Sequence, residues 1–329
     1  MTIKNIIKNM VPYGIMKKMY SGEQIITRET VFTPEIYNKY GEKMKIFYLQ
    51  DHICGHSPYS FSSQTIAGSN YILWDRFNTA LPIHFYSHKE MFQTRKCQKK
   101  FGILVESEGI VPDDYNRILE NESYFKEFDG IFTHSARLLN KFENAKYIPG
   151  SSVWYGGNAG GGIMDSEQYL HKEKDISIVS SNKEDCKLHT YRIAIARKMK
   201  EIKNVDVYGT IDGGKYIPIF ETLEKYRYSI AIENYISDYY FTEKLLNCFA
   251  AMTVPIYVGA TKIENFFNTD GIIRIEPFTP LDEIDKIIRK CCRVDYEERT
   301  EAIIDNYNRV KEYIGIEDYI YKKYREFLC

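Results

Sequence analysis

The sequence predicts an α/β protein built from two doubly wound parallel sheets, and three observations carry that expectation. Short apolar runs rich in β-formers alternate with helical stretches, the alternation comes in two series, and a glycine-rich segment separates them. The first series is KIFYLQ (45–50), YILW (71–74), FGILVE (101–106) and IFTH (131–134). The second is ISIVS (176–180), VDVY (205–208), YSIAI (228–232), VPIYV (254–258) and IIRI (272–275). Helices are expected between these strands at about 189–203, 219–226, 241–252 and 281–292.

The separating segment, IPGSSVWYGGNAGGGIMDSE (148–167), holds six glycines and breaks both the helical and the strand period. It reads as a hinge. Residues 1–160 are therefore expected to form an acceptor-side α/β domain and residues 161–295 a nucleotide-binding domain. Residues 296–329 repeat apolar positions at spacings of three and four, including Ala302, Ile303, Tyr307, Val310 and Ile314, and are expected to be helices packed across both domains. At the other end, Lys4, Lys8, Lys17 and Lys18 stand among apolar residues without one acid over residues 1–20. Such a basic amphipathic stretch suits either an anionic membrane surface or an ordinary first helix.

Composition narrows the function classes. The chain has 329 residues, of which 44% are hydrophobic and 27% charged, which excludes a disordered tail protein or a disulfide scaffold. Forty-four basic residues against forty-five acidic ones leave no global excess for a general nucleic-acid binder, so any anion site is local. Seven cysteines without a CxxC spacing point to reduced thiols, and neither a signal-peptide layout nor a membrane-length apolar run is present. A cytoplasmic protein, peripheral at most on a membrane, is expected.

The chemistry concentrates in YSIAIENYISDYYFTEKLLNCFAAMTVPIYVGA (228–260): strand, polar loop, helix, strand. In an open parallel sheet, ligands sit beyond the carboxyl ends of strands. Thr242 is a good N-cap, which puts Glu243 and Lys244 in the first helical turn. A lysine there opposes the positive end of the helix dipole unless an anion is bound. Amides of that turn plus the ammonium would hold a diphosphate, and the adjacent carboxylate could accept from two ribose hydroxyls. An exposed surface Glu–Lys pair is the plainer alternative.

This run resembles the donor-binding signature of the α1,3/4-fucosyltransferases, at Glu233, Asn234, Tyr240, Thr242, Glu243, Lys244, Pro255 and Gly259. The segment 176–199 resembles the same family's strand, Ser–Asn loop and Arg-bearing helix, with Arg192 matching the arginine on the diphosphate and Arg197 as the alternative register. FGILVESEGIVPDDY (101–115) resembles its acceptor loop, where Glu106 matches the catalytic base; the proline expected after Ser107 is replaced by Glu108, which makes Glu108 a rival base. The resemblance covers about residues 100–275. It implies an inverting, GDP-fucose-dependent glycosyltransferase of GT-B fold acting on a glycan hydroxyl, with Arg192, Asn234, Tyr240, Glu243 and Lys244 on the donor and Glu106 or Glu108 on the acceptor. It implies no obligatory metal or other cofactor, because the cationic groups can hold the leaving charge. Another nucleotide-sugar donor, or a non-catalytic nucleotide- or glycan-binding role, are the competing readings.

Other motifs lead elsewhere or nowhere. His52 and His56, and His84 and His88, have spacings a metal could use on a helix, but Gly55 and Pro58 break the first and PIHFY makes the second strand-like. These histidines are expected to line an acceptor pocket or to pack. No GxGxxG, GxxxxGK[ST] or GxSxG occurs, which removes the dehydrogenase, P-loop and common hydrolase fingerprints.

Overall fold

A computed structural model describes Lys39 and residues 43–51, 69–155 and 162–328. The basic stretch 1–20, His52 and His56 lie outside the described residues, as do positions 156–161 of the glycine-rich segment.

Two all-parallel sheets carry the chain. The first contains β1 (Lys45–Gln50), β2 (Ile72–Asp75), β3 (Ile83–Ser87), β4 (Lys99–Leu104), β5 (Gly130–Thr133) and β6 (Ala145–Tyr147), in the order β2-β1-β3-β4-β5-β6. The second contains β7 (Lys174–Val179), β8 (Val205–Tyr208), β9 (Tyr226–Ile232), β10 (Val254–Val258) and β11 (Ile273–Arg274), in the order β11-β10-β9-β7-β8. In each, the chain leaves its first strand in one direction and returns past it in the other. That reversal opens a crevice at the carboxyl ends of β1 and β3, and of β7 and β9.

The strands form where the sequence suits a sheet covered on both faces: all seven residues of β9, YRYSIAI, and all five of β10 are buried. Helices α1 (Pro112–Glu120), α2 (Ala136–Lys141), α3 (Lys187–Met199), α4 (Glu243–Ala250) and α5 (Leu281–Ile288) link or flank them. Two strands, β3 and β6, fall outside the two predicted series. The helix expected at 219–226 is a single 3-10 turn, Ile219–Thr222, because β9 already begins at Tyr226 and leaves no length for more. The helix expected to reach 292 stops at Ile288.

The tail folds into α6 (Arg293–Glu298), α7 (Thr300–Val310) and α8 (Ile316–Leu328). Tyr307 donates to the Met164 carbonyl at 2.5 Å, while Glu317, wholly buried, accepts from the Trp74 indole at 2.9 Å in the first sheet. Asp318 accepts from the backbone amide of Asn70 at 2.8 Å, and the Tyr324 hydroxyl donates to the Tyr147 carbonyl at 2.7 Å. A buried carboxylate is tolerated only when paired in this way. These bonds tie the end of the chain to the first sheet and hold the two sheets in register around one continuous apolar cluster.

At the opposite end of the second sheet from its crevice, Lys172 is buried and donates to the carbonyls of Leu223 (3.0 Å) and Ala251 (2.6 Å) and to the Thr253 hydroxyl (3.0 Å). Burial pulls its pKa down to about 7 from 10.5. Between those values the unfolded chain binds a proton that the folded chain lacks, so this group makes stability rise with pH across the window. Urea unfolding at about pH 7 and about pH 9.5 should show wild type gaining roughly 1–3 kcal/mol relative to Lys172→Met between the two conditions. An equal difference at both pH values would exclude a perturbed lysine.

Candidate active site

The crevice of the second sheet is built around a buried carboxylate. Glu233 directly follows β9, is fully shielded from solvent, and accepts from the Thr242 amide (2.8 Å) and the Thr242 hydroxyl (2.6 Å). Thr242 is extended and caps α4, its side-chain oxygen accepting from the Lys244 amide. Phe241, Leu245 and Phe249 anchor the helix in the core. The loop 233–242 is thereby folded back on its own start, with the N-terminus of α4 directed at the end of β9.

Two acids surround one ammonium there. Lys244 Nζ lies 2.8 Å from Glu243 Oε1, 3.1 Å from Thr242 Oγ1 and 3.7 Å from Glu233 Oε2. Burial opposes the charge on Lys244, but Glu243 and Glu233 outweigh it and hold the pKa above the ordinary lysine value. Burial likewise opposes ionisation of Glu243, and Lys244 overcomes it and holds the carboxyl below the ordinary range. Glu233 is pushed up by burial, which Lys244 only partly offsets.

The third charge comes from α3. Arg192 is buried, reaches the Ile232 carbonyl with Nη1 at 3.4 Å, and leaves Nε without a partner. Burial draws its pKa down, against the pull of Glu243 and Glu233. A buried guanidinium with an unpaired N–H is costly unless an anion satisfies it. Arg192, Lys244 and the positive end of the α4 dipole suit a diphosphate in charge; the helix amides expected to join them are already engaged, that of Lys244 with Thr242 Oγ1 and those of Leu245 and Leu246 with the Thr242 carbonyl. The alternative Arg197 is exposed and paired with Asp212 at 2.9 Å.

Facing this pocket is the loop after β4. Glu106 is half-buried, and its Oε1 accepts from the Ser107 amide (2.8 Å) and from Asn234 Nδ2 (3.2 Å) of the second sheet's loop. Its backbone is fixed on both sides. The Glu106 carbonyl accepts from the Tyr115 hydroxyl (2.6 Å) and His134 Nε2 (3.2 Å), while the amides of Val105 and Glu106 both donate to His88 Nε2 at 3.1 Å. That double acceptance leaves the imidazole proton on Nδ1, 3.2 Å from Asp114 Oδ2. His134 is wholly buried, and its pKa is driven down to about 3 by that burial, so the ring is neutral near pH 7.

Several expectations need correction. Glu108, read as a loosely held rival to Glu106, is buried, and both of its oxygens are engaged: Ser135 donates to Oε1, and the Arg137 guanidinium binds Oε2 through Nε (2.7 Å) and Nη2. With three donors on it, this carboxylate is tied to α2 and less open to a substrate proton than Glu106. Tyr240 is buried, its ring 4.6 Å from His134 and packed on Gly150, where a Cβ would stand 2.6 Å from the Tyr240 ring, and Glu106, Glu233 and Glu243 all act on its hydroxyl. Asn234 turns its side chain toward Glu106. His84 is core, bonded to the Tyr86 hydroxyl and the Leu81 carbonyl at 2.8 Å each. Among the described residues no three His, Cys, Asp or Glu side chains gather as a metal site would require. His88, expected to line an acceptor pocket or to pack, is wholly buried and holds the Glu106 backbone, whereas Tyr115 and His134 gave no sequence signal beyond an apolar setting.

With this geometry in view, residues 169–300 match the sequence model of glycosyltransferase family 10 (fucosyltransferase), C-terminal part. The chain is 32% identical over 113 residues to the 3-galactosyl-N-acetylglucosaminide 4-α-L-fucosyltransferase of Pan troglodytes, an alignment taking in 30% of each chain. It is 27% identical over 104 residues to the 4-galactosyl-N-acetylglucosaminide 3-α-L-fucosyltransferase 9 of Mus musculus, covering 30% of this chain and 29% of the relative. The match thus spans less than a third of those relatives' length. Over 86% of this chain and 88% of the other, the fold is similar to a crystal structure of an α1,3-fucosyltransferase with GDP, at 16% identity and a TM-score of 0.51. Anabaena HepE in complex with UDP-glucose is similar over 74% of this chain and 79% of its own, at 10% identity and a TM-score of 0.51. The fold is therefore GT-B, two α/β units facing a cleft.

Substitution tests the anion pocket. Arg192→Ala and Lys244→Ala should each weaken GDP binding by about 1.5–3 kcal/mol, read by titration calorimetry, with cooperative thermal unfolding preserved. GDP affinity unchanged in both variants would place the phosphates elsewhere.

Proposed function

We propose that this chain transfers fucose from GDP-fucose, with inversion, to a hydroxyl of a glycan. One observation carries the reading: a buried cationic pocket at a helix N-terminus, formed by Arg192 and Lys244 within the region that matches family 10, opposite a well-held carboxylate, Glu106. Glu243, one residue from Lys244, takes the ribose hydroxyls.

In the reaction, the acceptor hydroxyl attacks C1 of the donor sugar as its proton passes to Glu106. The bond between C1 and the β-phosphate oxygen breaks, its electron pair leaves with GDP, and the new glycosidic bond forms on the opposite face. Glu106 ends protonated and returns the proton to solvent. No second acid is needed, because GDP departs as a stable anion held by Arg192, Lys244 and the positive end of the α4 dipole; that is the electrostatic share of the catalysis, and it calls on no metal. The acceptor belongs, on this reading, to a surface polysaccharide or lipopolysaccharide, met at the inner membrane face with residues 1–20 as the contact. No helix among the described residues is long and apolar enough to cross a membrane.

HepE, in complex with UDP-glucose, has the same TM-score to this chain as the GDP-bound fucosyltransferase, over a smaller share of the chain, so the architecture alone does not select the nucleotide. A panel of GDP- and UDP-sugars decides it. Nucleotide release with a glycan acceptor should be fastest with GDP-fucose; release with UDP-sugars alone would move the chain to the second reading, and no turnover of any donor would favour a binding protein.

The base assignment is tested by single-turnover transfer at saturating donor. Glu106→Gln should lower the rate by a factor of about 10²–10⁴ while donor binding survives. Glu108→Gln removes a charged partner of Arg137, so it should lower the melting temperature more than the rate constant of the folded enzyme. Full activity in the Glu106 variant with loss in the Glu108 variant would exchange the two roles.

A further inference from the structure

Asn234 is where the two halves of the cleft meet. Its backbone belongs to the donor side: the carbonyl accepts from the Cys186 thiol (3.2 Å), and Cys186 caps α3, the helix that bears Arg192. Its side chain belongs to the acceptor side, with Nδ2 donating to Glu106 Oε1 at 3.2 Å across 128 positions of sequence. The amide orientation follows from chemistry, since only the NH2 end can approach a carboxylate that accepts elsewhere from an amide. The other end, Oδ1, is shielded from water without a partner.

Neighbouring contacts keep this junction closed. Tyr235 lies on Gly109 of the Glu106 loop, so closely that a Cβ at Gly109 would stand 2.7 Å from Tyr235 Cδ2. Tyr240 fills the space beside Gly150 and His134, and the Gly150 amide donates to the Phe241 carbonyl at 3.1 Å. The loop 233–242 thus packs on the acceptor-side loops at three points, and at one of them a directed hydrogen bond reaches the reacting carboxylate.

We propose that Asn234 is a positioning residue for the base: it holds Glu106 Oε1 from the donor domain, so that the second carboxylate oxygen, Oε2, is the one presented to the acceptor hydroxyl. The inference rests on the reading of Glu106 as the base. It also makes the placement of that base depend on the same loop whose far end forms the phosphate pocket, so the donor site and the proton acceptor are set by one structural element. Ser107 contributes the other bond to Oε1 from the same loop as Glu106, whereas the bond from Asn234 comes from the donor side.

Two substitutions separate this role from a packing role or a plain donor contact. Asn234→Ala deletes the bond. Asn234→Asp keeps size and shape but sets a carboxylate against Glu106 Oε1, which a mere packing role would tolerate. Single-turnover transfer at saturating GDP-fucose, with GDP affinity measured by calorimetry, should show the alanine variant at least tenfold slower than wild type with GDP affinity within about twofold, and the aspartate variant slower than the alanine variant. An aspartate variant as fast as the alanine variant or faster, or an alanine variant as fast as wild type, overturns the proposal. Glu106→Gln run alongside distinguishes the two possible failures. If that variant transfers normally, the base reading itself falls; if it is inactive while the Asn234 variants are normal, only the positioning role falls.

Discussion

The bond pair between Glu233 and Thr242 is the constraint from which the rest of the site follows. A wholly buried carboxylate must find donors, and Glu233 takes both from a single residue nine positions later in the chain. That demand bends the loop 233–242 back on itself and starts α4 at one place. The cap in turn fixes which side chains occupy the first turn, and Lys244 is held there between two acids that keep it charged despite burial. Charge, helix dipole and the unpaired Arg192 N–H then converge on one small volume. Glu243 and Glu233 act on the Arg192 charge through space, but its Nε has no hydrogen-bond partner.

The facing loop achieves rigidity by different means. Glu106 leaves β4 with its backbone carbonyl and amide both clamped by buried side chains from three other elements: His88 after β3, Tyr115 on α1 and His134 after β5. Such a loop costs side-chain entropy to assemble, but a base must stand within a narrow distance of the hydroxyl it serves. The His88 backbone adopts a left-handed conformation, φ 51°, an unfavourable choice for a non-glycine residue that its three polar contacts sustain. Glu108, two residues on, serves the opposite purpose, a structural ion pair that pins the loop to α2.

Much of this was legible in the sequence, for identifiable reasons. A strand run such as VPIYV declares itself because buried parallel strands are continuously apolar, and Thr242 declared the start of α4 because capping is local chemistry. Lys244 stood out by violating the dipole preference. What stayed hidden depends on distant pairing. Nothing near Glu108 in sequence announces Arg137 and Ser135, so a saturated ion pair looked like a free acid. Nothing near His88 announces the amides it accepts from seventeen positions away. The strands β3 and β6 are short or carry polar residues, IHFYS and AKY, and take their register from neighbours. Tyr240 was singled out by its place in the motif, and nothing near it in sequence announces its packing on His134 and Gly150.

The central claim is that the pocket between Arg192 and the first turn of α4 receives a nucleotide diphosphate. A crystal structure of the complex with GDP tests it most directly. The account predicts β-phosphate oxygens within hydrogen-bonding distance of Lys244 Nζ and of the Arg192 guanidinium, satisfying the Nε now without a partner, and the ribose hydroxyls against Glu243. GDP bound at any other place in the cleft, with Arg192 Nε still unpaired, would contradict it.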